Sequence, residues 1–181
     1  MKNTLRNTTL AALLALALVP TLTVRAEDEV KKLEAKSAEA VENFKLADPG
    51  LTNFFGKAAG YAILPGVGEG GFIIGGEHGK GLVYEKGKVT GKVTLTEISV
   101  GAQAGGGSFS EVIFFQTASA LKNFKKSKYE MSAGAKATLA ASGAAANAKY
   151  AQGVAVFTLP KSGAMVAAAV GGQKLKFEAI K

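Results

Sequence analysis

Few residues in this chain could carry chemistry. His78 is the only histidine and cysteine is absent, so the four Cys or His ligands of a structural zinc site cannot be assembled. No G-x-S-x-G elbow exists to pair with His78. Gly66-Val67-Gly68-Glu69-Gly70-Gly71 satisfies the letter of G-x-G-x-x-G. A dinucleotide site, however, needs that loop to open a helix facing the pyrophosphate. Phe72-Ile73-Ile74 follows at once and reads as a strand. Gly79-Lys80 lacks the upstream glycine and the following Ser or Thr of a P-loop. Glu97 and Glu111 remain as a carboxylate pair. Glu111 alternates with Phe109, Ile113 and Phe115, so the expectation is a partly buried structural carboxylate bonded to a lysine or to backbone amides. No enzymatic activity, metal or cofactor is expected.

Charge is more informative. Formal net charge is +8, and its distribution is uneven. Residues 27–45 hold four lysines against six acids, whereas residues 46–181 hold fifteen lysines against eight acids. Two groups stand out: Lys122, Lys125, Lys126 and Lys128, and Lys80, Lys86, Lys88 and Lys92. Lysines near a helix C-terminus also complement its dipole, which is the ordinary explanation of the first group. Arginine is absent after Arg25. Both groups are candidate contacts for an anionic surface.

The elements that must position them begin with an export signal. Lys2 and Arg6 precede an unbroken apolar run from Leu10 to Val19, and Val24-Arg25-Ala26 suits a signal peptidase. Ten residues are too few for the roughly 20 of a transmembrane helix. The expectation is a signal peptide over 1–26 and one domain over 27–181, with a charge of +5 once Lys2, Arg6 and Arg25 are lost. The expected address is periplasmic, with full secretion as the alternative. Without a cysteine, neither a disulfide nor a lipid-modified anchor is expected.

In the remainder, Val30, Leu33, Ser37, Ala40, Val41 and Phe44 fall within one helical arc. Asp48-Pro49-Gly50 stops that helix, and a short one follows over residues 51–57. From Gly60 the texture is short β-like runs broken by glycine: Tyr61–Leu64, Gly71–Gly76, Gly81–Glu85, Val89–Gln103 with a bend, Ser108–Phe115, Val154–Leu159 and Ala164–Val170. Turns are expected at Glu77–Lys80 and at Glu85–Lys88, and a helix over 117–126. The Ala-rich stretch 132–149 alternates with period two, which predicts a strand, a turn at Gly143 and a partner strand. Together these predict an α+β domain: an antiparallel, glycine-rich sheet closed toward a barrel or sandwich, with a packed N-terminal helix and one short internal helix.

Several ordered segments are then recognisable. Gly60-Tyr61-Ala62-Ile63-Leu64-Pro65-Gly66-Val67-Gly68-Glu69-Gly70-Gly71-Phe72-Ile73-Ile74-Gly75-Gly76 resembles the opening of the SYLF domain family. Gly79–Tyr84, Val100–Gly106, Ser110–Phe115, Gly153–Leu159 and Gly171–Lys174 resemble its later segments. The resemblance implies a non-enzymatic phospholipid-binding module, since eukaryotic members bind phosphoinositides and some bind actin. Those relatives use a basic N-terminal helix, whereas residues 27–45 here are net acidic. The expected partner is therefore anionic phospholipid at a membrane surface, met by lysines on the β-rich body. Nucleic acid and actin are not expected partners. The alternative is a structural or interaction protein of the cell envelope with no lipid ligand.

Overall fold

The computed structural model describes residues 19–126, 129–132, 136–138 and 144–180. Helix α1 spans Val19–Ala47, starting before the residues whose periodicity predicted it. All six residues of the predicted arc are buried or half-buried, with Ser37, Ala40 and Phe44 almost fully enclosed. Asp48 ends the helix and ties the following chain. One carboxylate oxygen accepts from the Gly50 N–H at 2.9 Å, the other from the Ala145 N–H at 2.8 Å. Helix α2 occupies Leu51–Lys57 as expected, and no described helix is long and apolar enough to cross a membrane.

The β-rich body is built from three very long strands: β1 (Gly60–Glu85), β2 (Lys88–Phe115) and β5 (Val154–Ala179). The β1–β2 hairpin turns through Lys86 at φ 51° and Gly87 at φ 76°, the left-handed pair that a tight hairpin demands. The other expected turn is not one. Glu77–Lys80 lie inside β1, paired with Thr94–Glu97 of β2. Glycine spacing there reads as a break in sequence, but in the fold it admits a close neighbour.

That neighbour is the first half of the same strand. A side chain on Gly81 would meet the Ile63 carbonyl carbon at 2.8 Å and the Leu64 Cα at 2.9 Å, and one on Gly60 would meet the Tyr84 carbonyl oxygen at 2.6 Å. The sheet thus doubles back, and one apolar cluster lies between its halves. It joins Ala62, Leu64, Phe109, Ile113 and Phe115 to Val83, Val93, Leu95 and Leu175. Alternate residues of the first half, Ile63, Val112, Phe114 and Phe157, point outward beneath Phe44 and Leu51 of the helices. A bulge between Leu64 and Val67 lifts Pro65 and Gly66 out of the ladder.

The sheet order is β1-β2-β5-β3, with β3 (Tyr129–Ser132) antiparallel on β5 and β4 (Lys136–Thr138) parallel to it. Among the described residues no ladder returns to β1, so the fold is α+β with an open sheet. Helix α3 occupies Ala118–Phe124, its N-terminus capped by the Thr117 hydroxyl accepting from Ala120. The strand expected after Gly143 is instead a helical turn, α4 (Ala144–Asn147). Alanine favours helix, and Asp48 satisfies the Ala145 N–H at its start.

Candidate functional site

The fold redistributes the two lysine groups. Lys125 at the end of α3 meets Glu85 at 2.6 Å and lies over the Phe177 ring. This brings α3 beside the β1–β2 turn, so exposed Lys122 and Lys126 share one end of the body with exposed Lys86 and Lys88. Lys126 also bonds Asn123 at 3.1 Å, and Lys128 lies outside the described residues. Lys80 and Lys92 stand elsewhere, on the outer face of the sheet's second half. Both meet Glu29 of α1, at 3.1 and 3.6 Å. The Lys80 hydrogen bond and the two lysine charges hold the Glu29 carboxyl below its ordinary range. Lys125 does the same for Glu85.

Where α1 passes over the β1 bulge, a groove of about 520 Å³ opens. Lys36 and Asn43 of α1 form one wall, with Pro65, Gly66 and the His78–Lys80 stretch of β1 opposite. Lys161 of β5 completes it, its ammonium donating to the Pro65 carbonyl at 2.9 Å. Three ammonium groups and one imidazole line this groove against a single carboxylate, Glu39. Of these, only Lys80 belongs to the lysine groups legible in sequence. Lys36 sits in the acidic helix and Lys161 stands alone after Pro160, so no local signal marks them.

The carboxylate pair resolves differently. Glu111 is fully buried, where the alternation predicted partial burial, and one of its partners is a side-chain amide. Gln173 Nε2 donates to Glu111 Oε2 at 2.9 Å and reaches Glu77 Oε2 at 3.3 Å. Glu77, Glu97 and Gln173 occupy one row across the three long strands, so Glu97 neighbours this cluster in register. The knot joins both halves of the doubled sheet. Among the described residues no group of three or more acids or histidines is arranged to hold a metal ion.

Nearby, the Tyr61 and Tyr84 rings stack at 4.9 Å. Burial, with the neighbouring Tyr84, pushes the Tyr61 phenol up to about 12. Burial also raises Tyr84, whose hydroxyl faces Ser37. Neither phenol is poised to act as a base. No protein-family model matches the chain, and no curated protein matches it.

Proposed function

We propose that this protein is a peripheral binder of anionic phospholipid, a SYLF-like module whose sheet closes toward a barrel or sandwich and whose headgroup site is the groove beneath α1. The observation that carries this reading is the convergence of Lys36, Lys80, Lys161 and His78 on one cavity lined by a single carboxylate, Glu39, with Glu29 meeting Lys80 from outside it. Each lysine near an anionic membrane contributes about 1 kcal/mol. Three supply about 3 kcal/mol, roughly two powers of ten in association. The lysine end at Lys86, Lys88, Lys122 and Lys126, all exposed, is the competing surface.

Co-sedimentation with phosphatidylglycerol and with phosphatidylcholine vesicles tests the reading. Binding should be confined to the anionic vesicles, weaken with salt, and fall about a hundredfold when Lys36, Lys80 and Lys161 are changed together to glutamine. Loss on reversing Lys122, Lys125, Lys126 and Lys128 instead would move the site to the other end. Absence of binding to any vesicle would favour a structural role in the envelope. The same reading gives the chain a cleaved signal peptide and a periplasmic address. Protein recovered from the envelope should then begin at Glu27 by intact mass, and retention of Met1 would contradict export.

A further inference from the structure

Large apolar side chains are exposed where the long strands bend. Phe72 is 74% exposed, Ile74 64% and Ile98 70%. Phe72 and Ile74 are two residues apart on β1, and Ile98 pairs across the ladder with Gly76, two residues further on. Residues two apart on a strand share a face, which sets Ile74 beside Ile98. Phe72 lies across the register shift at Phe72/Ile74, where the chain folds back so closely that a side chain on Gly71 would meet Gly75. All three therefore stand at one bend. Scattered apolar residues on a surface are ordinary; a gathered group marks a contact site.

What borders the patch identifies the partner. Two residues beyond Gly76 comes His78, whose row continues through Thr96 to Lys174. The next row on that face runs from Lys80 through Thr94 to Lys176. The side chains of Lys80, Lys174 and Lys176 are 62–74% exposed even though each meets a glutamate. Exposed pairs of this kind hold weakly, so an anionic interface can exchange with the glutamates. A second copy of the chain would set lysine rows against lysine rows. A bilayer with anionic headgroups offers an apolar interior to the bend and opposite charge to the rows behind it.

We infer that Phe72, Ile74 and Ile98 form a membrane-inserting corner that enters the acyl boundary while the groove takes a headgroup. This rests on the phospholipid reading above and adds to it the part of the molecule that leaves water. Ile74 and His78 are four residues apart, about 13 Å along the strand. That spacing lets the corner sit about 5–10 Å deep with the lysine rows at headgroup level.

The chain contains no tryptophan, so Phe72→Trp provides a single reporter. On adding phosphatidylglycerol vesicles its emission should shift to the blue, and lipids brominated on their acyl chains should quench it. Ile74→Ser and Ile98→Ser should each lower partitioning about tenfold, with thermal unfolding unchanged because both side chains are exposed. Wild-type binding with no quenching, and with serine variants that bind normally, would overturn insertion while leaving the electrostatic reading intact. No wild-type binding to any vesicle would overturn both. A blue shift that appears without lipid and grows with protein concentration would overturn insertion in favour of self-association.

Discussion

Replacing Gly81 with alanine probes the feature on which the whole body depends, the doubling of β1. Gly81, Ile63 and Leu64 are all buried. The added methyl would meet backbone, at 2.8 Å from the Ile63 carbonyl carbon and 2.9 Å from the Leu64 Cα. Carbon atoms in ordinary contact stand about 3.5–4.0 Å apart, so one arm of the strand must retreat by about 0.7 Å or more. No flexible side chain can absorb that movement, and overpacking of this kind costs about 1–3 kcal/mol. Gly66→Ala is the matched control, because nothing lies within 4 Å of its added methyl. Its effect should be neutral, or stabilising by about 0.4–1 kcal/mol through the unfolded chain. Urea unfolding followed by circular dichroism reads both. With a slope of about 1–3 kcal/mol/M, Gly81→Ala should lower the midpoint by roughly 1 M relative to Gly66→Ala. Equal midpoints would refute the argument that one half of β1 rests on the other at Gly81.

Other perturbations follow from the same contacts. Phe44→Ala should cost about 3–5 kcal/mol, since the ring is fully buried beneath α1; unchanged thermal stability with lost vesicle binding would make that helix a membrane element instead. Gln173→Leu removes a donor shared by Glu111 and Glu77 and should cost about 1.5–3 kcal/mol, a loss that an unchanged urea midpoint would rule out. Glu29→Gln frees Lys80 and Lys92 and should strengthen binding to phosphatidylglycerol vesicles about fivefold, whereas equal or weaker binding would disconnect those lysines from lipid. Because the Glu29 carboxyl is held below its ordinary range, its small contribution to stability is complete above that range. It is lost only as pH falls through the depressed value. An acid titration of the wild type against Glu29→Gln should therefore diverge at neutral pH and converge in acid.

Much of the helical part was legible because its determinants are local. The arc from Val30 to Phe44, the stop at Asp48-Pro49-Gly50 and the turn at Lys86-Gly87 each follow from a few adjacent residues. The sheet's long strands were not, because the glycines at 71, 75, 76, 79 and 81 read as punctuation between short runs. Their purpose at Gly81 is visible only when residues 63 and 64 are seen lying against it. Burial of Glu111 could be read from alternation, but Gln173 could not be named as its partner. The two are 62 positions apart, and an isolated glutamine carries no signal of its own. The groove was illegible for the same reason, its cations arriving from α1, β1 and β5 one at a time.

The central place of β2 sets the order in which this molecule can assemble. The β1–β2 hairpin closes through a two-residue turn and can zip outward from Lys86-Gly87. By contrast, β5 pairs with β2 from Phe115–Val154 out to Gly91–Ala179, so it must return across the whole intervening chain. Pairings this distant in sequence form slowly. Until β5 arrives, a strand of 28 residues keeps one edge of hydrogen-bonding groups open, and such edges recruit other chains. The docking of β5 therefore governs whether a newly made chain folds alone or pairs with its neighbour.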